Sequence, residues 1–432
     1  MEENNQWNSQ RPQQDIEKSK FSRSARHSRA KARKKIRYKR IFLLLLILIL
    51  IAAVPLWLLK GRAVRNTTSS AGKKIETVSK NSMTAAKEST DTLASADNNL
   101  DNKHVQRPKG KRQANAIVFL GCGDMMFDRQ VASMIKSKGI EEPFVGVKDV
   151  FQAGDIVVGN LEGPLSTRGQ AVEGKEYTFR SSPEVARTMR SAGINLVSLA
   201  NNHIMDYGPD AFVDTIKALD QSSIYHAGAG VNHAEVYGPA LLSVKGKKIA
   251  FFSYSSVVPP GFWVTSQRPG IANSKTNWPA LESYVRKAAA ENDFVIASFH
   301  WGVELEDTAQ ASQIQLARRF IDAGADVAIG HHPHVMQGIE TYKGKVIAYS
   351  LGNFIFPNRG AKTSETYILK VELTGDTVSK VEAIPVKITP SGKPQVAKGS
   401  SANSILKRLK TISQAFGTEI DVMEDRAEIR IK

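Results

Sequence analysis

Val327-Ala328-Ile329-Gly330-His331-His332-Pro333-His334 joins a short apolar run to three imidazoles within four residues. The run reads as a buried strand, and the histidines fall where the chain leaves it. In folds of alternating strands and helices, strand C-termini open onto one shared edge where ligands bind. Three imidazoles at such an edge are hard to justify by packing and suit a metal.

Outward from this stretch the same arrangement recurs. Strands are expected at 116–120, 156–159, 196–199, 249–254, 294–299, 327–329 and 346–349. Helices are expected near 129–138, 183–192, 209–219, 278–290 and 311–323. This alternation argues for an α/β domain. The hairpin-like 241–254 implies some antiparallel pairing, strands at 366–373 and 378–388 extend the sheet, and a helix follows residue 404.

Nearly every expected strand ends in groups able to bind a cation. Gly123-Asp124 follows the first, Asn160-Leu161-Glu162 the second, and Asn201-Asn202-His203 the third, with Asp206 close behind. His300-Trp301-Gly302-Val303-Glu304 follows the run at 294–299. Taken singly each has a plainer reading: Asp124 as a turn or cap, the Asn pair as a turn, His300 as a core residue. Five such loops on successive strands outweigh those readings. Oxygen and nitrogen donors without thiolate suit zinc, manganese or iron, as one ion or two. The single cysteine, Cys122, excludes a disulfide framework and reads as a buried strand-end thiol.

The net charge of +17 resembles a nucleic-acid signature until it is located. Residues 1–40 hold 13 Lys and Arg against 4 Asp and Glu, and residues 60–115 hold 12 against 5. Residues 116–432 are left with 34 against 33, a net +1, so no basic groove is expected and nucleic acid is excluded as a partner. Residues 41–59 (IFLLLLILILIAAVPLWLL) carry no charge and have the length of a bilayer-spanning helix. A cleaved signal peptide is the rival reading, disfavoured by the long basic leader and the lack of a small-residue cleavage site. Nine Lys or Arg in 26–40 against five in 60–74 keep the N-terminus cytoplasmic and the C-terminal domain extracellular. The basic tail 1–40 can lie on anionic lipid. Residues 60–115, rich in Ser, Thr, Ala, Asn and Lys, read as a flexible tether.

Gly123-Asp124-Met125-Met126-Phe127-Asp128-Arg129, Gly159-Asn160-Leu161-Glu162-Gly163-Pro164, Leu199-Ala200-Asn201-Asn202-His203-Ile204-Met205-Asp206, His300-Trp301-Gly302-Val303-Glu304, Gly330-His331-His332-Pro333-His334 and Ser350-Leu351-Gly352-Asn353-Phe354 together resemble the CapA family of capsule and poly-γ-glutamate biosynthesis proteins. The resemblance covers about 116–390 and leaves 391–432 as a C-terminal extension. It implies a metallophosphoesterase-like α/β/β/α sandwich of two mixed sheets with helices outside. By position, it makes Asp124, Asn160, Glu162, Asn202, His300, His332 and His334 metal ligands. His203 becomes the proton-handling residue, and Asp206 reads as its partner. Arg180, in Tyr177-Thr178-Phe179-Arg180, is a candidate to bind an anionic substrate, with a surface salt bridge as its other reading, and Glu304 and Asn353 are further candidate substrate contacts. Met126 stands where the phosphoesterase Asp-x-His has its second ligand, and the second motif lacks the usual Gly-Asp pair; both put a complete two-metal centre in question.

The expectation is metal-assisted hydrolysis of a phosphoester or of an amide in an anionic polymer. The rival is a non-catalytic accessory subunit that handles the polymer beside membrane polymer-synthase subunits; a surface adhesion module has no feature of its own here. Deleting residues 41–59 is expected to move the chain from the membrane pellet to the soluble fraction on cell fractionation. Retention in the pellet would remove the anchor.

Overall fold

The computed structural model describes residues 116–432 apart from Thr276 and Arg359. The expected tail (1–40), span (41–59) and tether (60–115) lie outside the described residues. Among the described residues no helix is long and apolar enough to cross a membrane.

Strands β1 (Ile117–Met125), β2 (Ile156–Leu161), β3 (Leu196–Ser198) and β4 (Tyr225–Ala227) lie side by side and parallel. After the two-residue β5 (Ala229–Gly230), the hairpin β6 (Ala240–Val244) and β7 (Lys247–Ser255) begins a second sheet. Past β8 (Gly270–Ile271), which pairs with β5, come the parallel β9 (Phe294–His300) and β10 (Val327–His331). The hairpin β11 (Ile339–Tyr342) and β12 (Lys345–Ala348) completes that sheet, in the order β11-β12-β10-β9-β7-β6. The chain then returns to the first sheet. There β13 (Asn353–Ile355) pairs parallel with β1 and β14 (Glu365–Thr374) pairs antiparallel with it. Strands β15 (Thr377–Ile388), β16 (Pro394–Val396), β17 (Ile420–Val422) and β18 (Ala427–Ile429) follow, and the path reads β17-β18-β15-β14-β1-β2-β3-β4.

Two-residue periodicity sorts the strand side chains into layers. On β1, Ile117 and Phe119 enter the core shared by the two sheets, whereas Val118, Leu120 and Cys122 face the other way. That outer face is covered by α1 (Arg129–Lys138), α2 (Lys148–Phe151), α3 (Glu184–Ala192) and α4 (Gly208–Gln221), through Val131, Phe151, Met189 and Phe212. On β9, Phe294 and Ile296 face the shared core, and Val295, Ala297 and Phe299 face outward. After the short α5 (His233–Tyr237), α6 (Trp278–Glu291) and α7 (Ala311–Asp322) cover that second outer face through Leu281, Val285, Leu316 and Phe320. The result is a mixed α/β body in four layers: helix, sheet, sheet, helix.

Two features differ from the sequence reading. Residues past 390 are threaded into the body rather than appended to it: β16 and β18 both pair with β15, and α8 (Gly399–Ser413) sends Ile405, Leu406 and Leu409 into the shared core. The strands also run further than their apolar residues suggest. Asp124, Asn160, His300 and His331 are ladder residues, because each has a partner in register: Asp124 with Asn160 and Asn353, His331 with His300.

The close approach of those strand ends depends on two glycines. A Cβ on Gly123 would lie 1.9 Å from the Gly352 carbonyl oxygen, and one on Gly330 would lie 1.9 Å from the Tyr349 carbonyl oxygen. Neither neighbour is a side chain that can swing away. Gly330→Ala is therefore expected to cost about 1–3 kcal/mol of stability. Gly360→Ala, whose Cβ would meet Thr363 Oγ1 at an ordinary 3.7 Å, is expected to be near neutral. Denaturant unfolding of the two variants checks the difference.

Candidate metal centre

The register carries the predicted ligands to one edge. In the first sheet Asp124 stands between Asn160 on β2 and Asn353 on β13; in the second, His300 and His331 stand abreast. Asp124 is buried, and donors from both sheets reach it. Asn160 Nδ2 donates to Oδ1 at 2.9 Å, and the His332 backbone N–H donates to Oδ2 at 3.2 Å. His331 Nδ1 lies 3.4 Å from Oδ1 and His334 Nδ1 3.3 Å from Oδ2. Burial alone would raise the Asp124 pKa, but these imidazoles outweigh it and hold the carboxyl well below its usual range.

Glu162, one residue beyond β2, is driven the opposite way. Burial and then the Asp124 charge push its pKa well above the usual value. Its Oε1 is buried without a hydrogen-bond partner, 3.8 Å from His334 Nε2 and 3.9 Å from His203 Nε2. His334 responds to both acids. Its burial opposes protonation, yet Glu162 and Asp124 raise its pKa to about 10. His332 is held down at about 4 by burial and by His334, and its Nδ1 is another buried nitrogen without a partner. Burial, followed by the neighbouring His332, also lowers His300 well below its ordinary value.

Two sets bring their ligand atoms within 4.8 Å of one another: Asp124, Glu162 and His334, and Glu304, His332 and His334. Orphaned buried polar atoms are rare in folded proteins. Here Glu162 Oε1 and His332 Nδ1 are both orphans, and they belong to different sets. Such a donor set fits one or two divalent cations of the oxygen- and nitrogen-seeking kind. Backbone strain supports the same reading. His332 and His334 hold φ of 93° and 58° on either side of Pro333, a conformation costing on the order of 1–3 kcal/mol for such residues.

The third loop supplies a hydrogen-bonded relay. Asn201, read from the sequence as a turn, is its frame: Oδ1 accepts from the His203 and Ile204 backbone N–H groups, and Nδ2 donates to Asn160 Oδ1 and to the Leu161 carbonyl. Asn202 Oδ1 lies 2.7 Å from His300 Nε2. His203 Nδ1 lies 2.7 Å from Asp206 Oδ2, which also accepts from the Phe179 N–H at 2.8 Å. Burial lowers the His203 pKa against the pull of Asp206. Nδ1 bound to that carboxylate turns Nε2 toward Glu162.

Lys175 was not singled out from the sequence. Its ammonium donates to Asp206 Oδ1 and to the Asn202 carbonyl, 3.3 Å from His203 Nδ1 and 5.3 Å from the Phe262 ring centroid. Nothing in Glu173-Gly174-Lys175-Glu176 distinguishes it from a solvated turn.

The three residues expected to contact substrate have defined neighbours. Glu304 is exposed and joins His332 and His334 as a potential ligand. Asn353 is buried, and its Oδ1 lies 2.8 Å from His334 Nδ1, so it orients that ring. Arg180 lies over the Tyr207 ring and donates to the carbonyls of Arg168 and Gly169.

A family model described as bacterial capsule synthesis protein PGA_cap matches residues 117–358. The chain is 28% identical over 331 residues to the capsule biosynthesis protein CapA of Bacillus anthracis, covering 75% of this chain and 80% of that one. It is 29% identical over 320 residues to the PGA biosynthesis protein CapA of Bacillus subtilis, covering 73% and 84%. It is 26% identical over 292 residues to a probable polyglutamine synthesis accessory protein of Mycobacterium tuberculosis, covering 63% and 76%.

Lys175→Met keeps the aliphatic stem but removes the cation from Asp206. A charge-assisted hydrogen bond of this kind contributes about 1.5–3 kcal/mol, the stability loss expected on denaturant unfolding. Lys175→Arg should recover part of it. A loss within experimental error in the Met variant would show the contact to be inconsequential.

Proposed function

Because the chain belongs to the bacterial capsule synthesis protein family PGA_cap, we propose that its folded domain is a metal-dependent hydrolase. It acts on an anionic polymer or phosphoester in capsule or poly-γ-glutamate synthesis, as a metallophosphoesterase-like body anchored to the cell membrane by residues 41–59 and standing outside it. The observation that carries the reading is the convergence of Asp124, Glu162, His332 and His334, with buried donor atoms on Glu162 and His332 left without hydrogen-bond partners.

In this reading those four residues, with Asn160, Asn202, His300 and Glu304 as further donors, hold manganese, zinc or iron. When bound, such a cation supplies a Lewis acid for the scissile group and makes hydroxide available near neutral pH. The chain's own residues do the rest. Asp206 fixes the His203 ring through Nδ1, so that Nε2 faces the cluster and, once it has taken a proton from the attacking water, can pass that proton to the departing group. Lys175 holds Asp206 from its other oxygen and ties the 172–180 loop to the 199–206 loop. Phe179, with its ring centroid 4.3 Å from that of His203, and Phe356, 4.9 Å from that of His334, wall the cluster with apolar surface and exclude water from one side.

A second reading has an observation of its own: the Mycobacterium tuberculosis relative is described as an accessory protein. On that reading the domain binds the emerging polymer beside membrane polymer-synthase subunits without cleaving it. Purified full-length chain separates the two. The hydrolase reading expects bound metal and turnover of a phosphomonoester, a phosphodiester or a glutamate oligomer. His332→Ala with His334→Ala should lose the metal and lower turnover by more than the roughly 10- to 100-fold typical of outer-shell changes. Unchanged turnover in the double variant would overturn the hydrolase, and metal without turnover in the parent would favour the accessory role.

A further inference from the structure

Four cations surround the loop that carries Phe179, and three of them are engaged. Arg168 is paired with Asp214, Nη2 to Oδ1 at 2.5 Å. Lys175 is held by Asp206 and the Asn202 carbonyl. Arg180 is satisfied by two carbonyls and a ring face. Arg129 is the exception. Its guanidinium carbon lies 5.2 Å from the Phe179 ring centroid and 5.6 Å from that of Tyr177, and among the described residues it has no carboxylate or carbonyl partner. The side chain is exposed, and the ring beneath it is the one that packs, tilted, against His203 with centroids 4.3 Å apart.

Its position is built. Arg129 opens α1 with φ of 55°, a left-handed conformation uncommon for a long side chain. Asp128 holds it there: Oδ1 accepts the Arg129 N–H at 2.6 Å, and Oδ2 accepts the Arg180 N–H at 3.1 Å, fastening the start of α1 to the Phe179 loop. A guanidinium resting on aromatic faces keeps its donor edge free, and that edge matches the paired oxygens of a carboxylate or phosphoryl group.

We infer that Arg129, seated on Phe179 beside His203, is the specificity residue that binds an anionic oxygen group of the substrate next to the hydrolytic cluster. This rests on the anionic substrate of the function proposed above. It places one negative group of that substrate beside the Phe179 ring, so a neutral chain of the same length is bound less well.

The test uses purified full-length chain loaded with Mn²⁺ and reads binding calorimetrically. The probes are a glutamate pentamer, a glutamine pentamer and inorganic phosphate. Arg129→Asn is the main variant, because Asn tolerates the left-handed backbone better than most residues. It should bind the glutamate pentamer roughly ten- to hundredfold more weakly than the parent chain, with Arg129→Lys in between. Mn²⁺ affinity and the weaker binding of the glutamine pentamer should stay the same in all three. An equal Arg129 dependence for phosphate would extend the anion class to phosphoryl groups and support the assignment. Equal anion affinity in parent and Asn variant, no binding of either anion, or an equal loss for the glutamine pentamer would overturn it. Turnover is not the readout, so an inactive chain with Arg129-dependent binding would refute only the hydrolase, and an active chain without that dependence only this inference.

Discussion

The carboxylate of Asp124 is the interaction on which the arrangement depends. It is a buried charge at the seam of two sheets, and such a charge is tolerated only when donors surround it. One sheet supplies the Asn160 amide, and the loop leaving the other supplies the His332 backbone N–H and the neighbouring His331 and His334 rings. Removing the carboxylate would leave those donors facing one another across the seam. The same contacts thus hold the two sheets together at this edge and assemble the centre.

The backbone is bent to allow it. Gly123 and Gly330 let the strand ends approach carbonyls that no side chain would clear, and His332 and His334 accept left-handed φ on either side of a proline. The strain is held by neighbours: the Leu305 N–H donates to the Pro333 carbonyl, the Trp301 N–H to the His331 carbonyl, and the Asn353 side chain meets His334. A relaxed loop would turn the His332 and His334 imidazoles away and leave Glu162 with His203 as its remaining neighbouring base. Rigidity here aims lone pairs at one point.

Much of this was legible in the sequence because the signals are chemical and local. Apolar runs ending in Asp124, Asn160 and His300 mark strands that open on one edge, and three histidines around Pro333 have no packing rationale. The register was not legible, since nothing local says that Asp124 stands opposite both Asn160 and Asn353. For the same reason the hydrogen bond between Asn353 and His334 was not legible. Lys175 and Arg129 were hidden for another reason. A lysine between two glutamates and an arginine at a helix start look like ordinary solvated residues until the Phe179 loop folds back over His203. The stretch past 390 was hard to read because its strands are three residues long and gain their meaning only by pairing, β16 and β18 with β15 and β17 with β18.

The opposite fates of the two acids explain why the donor set suits a cation of charge two. With Asp124 held ionised, Glu162 pushed toward its protonated form and His334 carrying a proton, the cluster is close to neutral. On the metal-dependent reading proposed above, a dication held by these groups would stand in for the protons on Glu162 and His334 and leave the total charge unchanged. On that reading the buried seam would take up metal without a new uncompensated charge, the costliest change in a low-dielectric interior. His332 and His300 are meanwhile kept neutral by burial. Their imidazoles retain lone pairs that a cation can use, and they add no positive charge to repel it.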